Sequence, residues 1–208
     1  MAWASSLRAL ALLLGKEILV LHVLVPKRLD GVALERRQEF LVMHPGAHVG
    51  SGVEAGIERI ATGMREAFDQ VPHVKTRVLL ENTAGGGSTM GRSFEELRDL
   101  LAAIDTPERT GTCIDTCHMF AAGYELRTEE GYQETMKQLD KVLGARRVFA
   151  LHLNDSKGDL GSHLDRHMHI GDGLITAPLP QLLHDQIRLQ PQQQRLTRKG
   201  VAGRRPAL

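Results

Sequence analysis

The chain is poor in the features that usually announce a class. Of its 208 residues only two are cysteines, one is tryptophan, two are tyrosines and five are phenylalanines, and 26 basic side chains nearly cancel 25 acidic ones. Two cysteines cannot build a disulfide scaffold, so a packed core must carry the stability, and a reduced, cytoplasmic setting is expected. A formal net charge of +1 excludes a protein that holds nucleic acid or acidic lipid by bulk charge, so any DNA binding has to come from a shaped site. Long apolar runs are missing too. Residues 9–14 and 18–25 are apolar but are separated by Lys16 and Glu17, and each falls short of the roughly 18 to 20 residues that a spanning helix needs. They read as buried core elements of a protein with no membrane partner and an uncleaved start.

What is present is a 42% hydrophobic content with evenly mixed charge, the profile of one globular domain. From Phe40 onward, short apolar runs alternate with stretches of helical period, the pattern of a parallel sheet covered by helices. The spacing predicts strands at residues 40–43, 76–80, 110–114 and 147–151. It predicts helices over 53–69, 93–104 and 128–143. In the first helix Val53, Ile57, Ile60, Met64 and Phe68 recur at intervals of three and four and mark one buried face. Ser93 followed by Glu96 forms a capping-box signature before Leu97, Leu100 and Leu101. After Ile175 the composition changes to prolines, six glutamines between Gln181 and Gln194, and six basic residues from Arg188 to Arg205 with no acidic one among them. The expected organisation is a single, incomplete barrel-type domain over residues 1–175 and a poorly ordered basic tail over 176–208.

Each of the four strands ends on a metal-ligand type: His44, Glu81, Asp115 and His152, at intervals of 37, 34 and 37 residues. That interval is about the length of one βα unit, since eight units make a barrel of roughly 250 residues. Four such side chains in register would therefore gather at the C-terminal rim of a parallel barrel, where a His/Glu/Asp/His ring holds divalent metal. A lone strand-end histidine is usually structural, but four positions in register are not explained that way. More ligand types follow in the loops: His118, Asp155, Asp165, His167 and His169. The remaining histidines, among them His48, His73 and His163, have no such register and read as surface or supporting residues, as does His169. Cys113 and Cys117 flank Asp115, and Cys113 reads as a small buried side chain in a strand. The run from Ala84 to Ser88 looks like a phosphate cradle but lacks a P-loop ending, so it reads as a tight βα loop open to backbone contact with a phosphate.

Several separate motifs then point the same way. His44-Pro45-Gly46-Ala47-His48, Glu81-Asn82-Thr83-Ala84-Gly85, Cys113-Ile114-Asp115-Thr116-Cys117-His118 with Ala121-Ala122-Gly123-Tyr124, His152-Leu153-Asn154-Asp155-Ser156-Lys157 and Asp165-Arg166-His167 resemble the endonuclease IV family of apurinic/apyrimidinic endonucleases. The resemblance spans about residues 40–175. It implies a TIM-type barrel, up to three zinc ions, and cleavage of duplex DNA 5′ to abasic sites in base excision repair by a monomer, leaving a 3′-hydroxyl. By that resemblance His44 is a ligand of the first zinc and Glu81 a bridge between the first and second. Asp115 and His152 are ligands of the second, and His118, Asp165 and His167 form the set of the third. Glu81, Asp115 and His152 are then the catalytic positions, and Arg166 is a phosphate contact or an ion-pair partner of Asp155 or another carboxylate. The implied chemistry is metal-assisted hydrolysis without a nucleophilic side chain.

The sequence also departs from the family pattern. A further first-zinc histidine from an earlier strand and a further second-zinc glutamate from a later one have no match; His22 lies only 22 residues before His44. Gly86 stands where the family usually has glutamine. Two of the three sets are thus expected to be one ligand short, with an incomplete sheet, low stability and weak activity following from altered ends. Two other readings are a sugar isomerase or epimerase on a related barrel, and a remnant that binds zinc or DNA without cleaving.

Overall fold

A computed structural model describes residues 40–175. The apolar runs before Phe40, the tail after Ile175 and the predicted completion of the domain over residues 1–39 lie outside the described residues. Four parallel strands, β1 (Phe40–Met43), β2 (Arg77–Glu81), β3 (Thr110–Asp115) and β4 (Val148–His152), stand side by side in chain order. Helix α1 (Val53–Gln70) connects the first pair and α2 (Phe94–Ile104) the second. The last crossover contains a short α3 (Thr116–Ala122), α4 (Glu129–Val142) and a 3-10 turn at Ala145–Arg147. A two-residue antiparallel pair follows, β5 (Asp155–Ser156) with β6 (His167–Met168). This is the βα repeat of a TIM-type barrel wall, as expected. Among the described residues no helix is long and apolar enough to cross a membrane.

The strand period of two decides what faces where. Leu41, Val78, Leu80, Ile114 and Val148 join one apolar core with Met64, Phe68, Phe94, Leu97, Leu100, Ile104 and Leu139 of the helices. The intervening residues, Leu79, Glu81, Cys113 and Asp115 among them, therefore belong to the opposite face. The entries of α2 and α4 are set by local polar chemistry: Ser93 Oγ accepts the Glu96 N–H at 3.1 Å and Thr128 Oγ1 accepts the Gly131 N–H at 3.1 Å. Half of the expected capping box forms. The Glu96 carboxylate passes the cap and instead takes the N–H groups of Gly91 (2.9 Å) and Arg92 (3.3 Å), which ties the preceding loop to α2.

On the face away from the helices, β3 and β4 slip by one residue. Thr112 pairs with Val148 but Cys113 with Ala150, which leaves Phe149 as the extra residue of a bulge. The ring of Phe149 lies on Gly111, with the Arg77 guanidinium 4.1 Å from its centroid and Phe40 at 5.8 Å. A Cβ on residue 111 would enter the ring and also stand 3.0 Å from Leu79. Only glycine leaves room for this stack, and the bulge adds the local twist that a curved sheet requires. Gly111→Ala is expected to destabilise the protein by about 1–3 kcal/mol through overpacking, read as a lower midpoint of urea unfolding with an unchanged slope. An unchanged midpoint would show that the Phe149 ring is free to move aside.

Candidate metal centre

The register of the parallel strands carries their last residues to one edge. Asp115 pairs with His152, Glu81 with Cys113, and Met43, just before His44, with Leu80. The side chains converge. Glu81, 7% exposed, places Oε1 2.7 Å from Nδ1 of His152 and Oε2 3.4 Å from Nε2 of His44. One carboxylate thus stands between two imidazoles, each facing a different oxygen. Burial alone would raise the Glu81 pKa, but the hydrogen bonds and charges of His152 and His44 outweigh it and hold the group at about 2.

Asp115 is completely buried, and each oxygen of its carboxyl group has a neighbour. Oδ1 accepts the backbone N–H of His118 at 3.0 Å, which makes Asp115 the N-cap of α3 as well as the last residue of β3. Oδ2 accepts from Asn154 Nδ2 at 2.5 Å and lies 4.0 Å from His152 Nδ1 and 3.8 Å from His167 Nε2. The backbone of Asp115 is clasped by the Asn82 amide, which donates to its carbonyl (3.0 Å) and accepts its N–H (2.6 Å). Thr116 Oγ1 meanwhile joins Asn154 through both backbone groups of that residue.

The third group is formed by α3 and the loop entering β6. His118 Nε2, Asp165 Oδ1 and His167 Nε2 lie 3.2, 3.2 and 3.4 Å apart. With metal–nitrogen bonds of about 2.0–2.1 Å, the edge of a tetrahedral zinc site is roughly 3.3–3.4 Å, so these atoms match one face of such a site. His118 Nδ1 donates to the Asn82 carbonyl at 2.8 Å, which leaves Nε2 to face the other two, the usual support for a ligating histidine. Burial pulls the His118 pKa down, but the Asp165 hydrogen bond and the charges of Asp115, Asp165 and Glu81 raise it to about 9. The His118 hydrogen bond in turn lowers Asp165 to about 2. Donor atoms of His44, Glu81 and His118, of Glu81, Cys113 and His152, and of Asp115, His118 and His167 form trios within 4.8 Å that could hold a cation.

All seven candidate ligands, His44, Glu81, Asp115, His118, His152, Asp165 and His167, therefore meet at one rim. Arg166 is exposed there, with Nη1 on the carbonyl of Asp165 at 2.8 Å. The carboxylate of Asp155 turns inward instead, to the N–H groups of Ser156 (2.8 Å), Gly171 (3.1 Å) and Ile175 (2.8 Å), and shapes the loop. The ligand types in the segment after His152 thus divide, and Asp155 is structural. Cys113 and Cys117 are buried and free, as expected of Cys113, and burial pushes both thiols up, Cys117 to about 11. The ligand spacing gives no signal for Asn82, Thr116 and Asn154, although each directly adjoins a candidate ligand or lies two residues from one.

A family model described as a xylose isomerase-like TIM barrel matches residues 32–186. The chain belongs to this family. Its relatives include proteins called probable endonuclease 4. One from Trichlorobacter lovleyi is 47% identical over 146 residues, covering 70% of this chain and 52% of that protein. One from Chloroflexus aurantiacus is 51% identical over 136 residues, covering 65% and 48%. Among solved structures, endonuclease IV from Thermus thermophilus matches with a TM-score of 0.61 at 38% identity over 71% of this chain and 50% of that one. A D-tagatose 3-epimerase-like protein, at TM-score 0.50 and 20% identity, shares the fold of the family. The chain spans about half the length of the curated relatives it matches.

Metal binding to these histidines has to displace protons, because His118 is held at about 9 and the Glu81 hydrogen bond raises His152. The thermal stabilisation given by added Zn2+ should therefore be larger at pH 8 than at pH 6. Scanning calorimetry at matched free zinc measures it, and equal shifts at both values would exclude His118 and His152 as ligands.

Proposed function

We propose that the protein is a zinc-dependent endonuclease of the endonuclease IV type, hydrolysing the phosphodiester 5′ to abasic sites in duplex DNA as a cytoplasmic monomer. The observation that carries this reading is the coexistence at one rim of a carboxylate set between two histidines, Glu81, and a separate three-atom face at His118, Asp165 and His167. A reaction needing one cation would leave the second group without a use. In this reading His44 and Glu81 would hold the first ion, Glu81, Asp115 and His152 the second, and His118, Asp165 and His167 the third. When bound, zinc supplies Lewis-acid charge to a phosphodiester and lowers the pKa of water.

The chain's own residues provide the setting. Glu81 contributes a negative charge shared between two positions, and its depressed pKa keeps that charge at neutral pH. Asn82 and Asn154 hold Asp115 in one orientation. Arg166, with one nitrogen tied to the backbone, presents its remaining N–H groups to a phosphate oxygen. The two thiols near the rim are buried and raised in pKa, so neither is a nucleophile, which favours direct attack by water over a covalent intermediate. A second reading, zinc or DNA binding without turnover, draws support from the half-length match to the relatives.

The test is incubation of the purified chain, with and without chelator, on a duplex carrying one abasic analogue. Chelator-sensitive nicking on the 5′ side supports the proposal. Sugar turnover without nicking points to an isomerase, and bound metal without either to the binding reading. Glu81→Gln should lower nicking by at least about 100-fold, roughly 2.7 kcal/mol of barrier. His73→Ala, at an exposed position in the turn after α1, should leave the rate unchanged; equal losses in both variants would remove Glu81 from the site.

A further inference from the structure

His163 has none of the strand register that marks the candidate ligands, yet the structure places it at a junction. Its backbone is left-handed, with φ 55°, a conformation that a residue other than glycine keeps only when its surroundings hold it there. Two contacts do so. The His163 N–H donates to the Ala121 carbonyl at 2.9 Å and its Nδ1 donates to the Ala84 carbonyl at 3.0 Å. Gly161 N–H adds a bond to the Phe120 carbonyl at 3.0 Å. The Phe120 and Ala121 carbonyls lie in the last turn of α3, where backbone acceptors lack intrahelical partners; the Phe120 carbonyl also takes the Gly123 N–H at 3.0 Å.

The same contacts involve two glycines of the run after β2. A Cβ on Gly85, whose φ is +81°, would stand 3.0 Å from Arg92 Cβ and 3.1 Å from His163 Nδ1, and one on Gly86 would stand 3.1 Å from the His163 carbonyl oxygen. The run serves as the seat of His163. The loop is tied at both ends: Thr83 N–H reaches the Gly91 carbonyl at 3.0 Å, Met90 N–H reaches the Gly46 carbonyl at 2.8 Å, and Glu96 grips Gly91 and Arg92. Three pieces are thereby joined at one residue, whose imidazole holds the loop after β2 and whose backbone N–H holds α3. They are the loop after β2, whose Asn82 carbonyl orients His118; α3, which carries His118; and the loop that carries Asp165 two residues beyond His163 and His167 four beyond.

We propose that His163 is a positioning residue of the third cation group: its imidazole, bonded to the Ala84 carbonyl beside Gly85, fixes Asp165 and His167 against His118. The inference rests on reading those three residues as one site. Competitive Zn2+ titration of the full chain and four variants, with a thermal melt of each, tests it. Asp165→Asn identifies the zinc class that belongs to this group; if no class disappears, the three-ligand reading fails and the proposal with it. With the class identified, His163→Ala should weaken it roughly 10- to 100-fold and leave the other classes unchanged. Asparagine tolerates left-handed backbone and can offer an amide N–H to Ala84, so His163→Asn should restore most of the affinity. Gly86→Ala keeps His163 but crowds its carbonyl, and should reproduce the loss. Unaltered affinity in His163→Ala overturns the proposal, as does an equal loss across all classes with a lowered melting temperature in both His163 variants.

Discussion

A carboxyl group with no access to water sits at the centre of this molecule, and the rim is arranged around meeting its needs. An isolated polar group at the position of Asp115 would be costly, and a charged one more so. The cost is offset by the N-terminus of α3 and the Asn154 amide, which meet the two carboxyl oxygens, while Asn82 from a third segment satisfies the backbone of the same residue. Satisfying Asp115 therefore joins the ends of β2 and β3, the start of α3 and the segment after β4. The same bonds that remove the penalty bring His118, His152 and His167 near one another. Stability of the rim and assembly of the cation groups are in this sense one problem with one solution.

The parallel sheet supplies the other half of that solution. Parallel strands carry their C-terminal ends to one edge, with Asp115 two residues beyond the partner of Glu81 and level with His152, so the strand-end side chains arrive at the same rim. Because side chains alternate, the positions that feed the helix-side core and those that feed the rim are interleaved within each strand. A shift of one residue would bury the ligands among the helices and expose the core. The single irregularity, at Phe149, falls toward the start of the strands and is absorbed by Gly111. Past it the pairing of Asp115 with His152 is regular.

Much of this is legible in the chain alone. The first strand and the helix starts follow from apolar period and capping chemistry, and the four strand-end ligands follow from their spacing. Each boundary that differs does so for a local reason. The second and third strands run one residue further than predicted, so Glu81 and Asp115 are the last residues of strands and not the first of loops. The fourth begins at Val148 because Ala145–Arg147 turn in a 3-10 helix. Helix α3 is absent from the helices that spacing predicts: at seven residues it is too short to hold by propensity and depends on the Asp115 cap and on packing. The two-residue strands β5 and β6 are shorter than any period can register.

The sequence by itself determined that a βα series exists and that ligand types recur once per unit, because periodicity and spacing are properties of neighbours along the chain. It also carried the motifs by which the family resemblance appears. Only the tertiary structure decided which carboxylates turn toward the rim. Asp165 does and Asp155 does not, although both lie in the segment after His152, because backbone N–H groups from Gly171 and Ile175 fold back to claim Asp155. It likewise decided that His163 and the glycine-rich run meet, a contact spanning 79 positions. Such partners are chosen by loop closure and by the demand that buried polar groups be satisfied, and neither leaves a repeat in the chain for a reader to count.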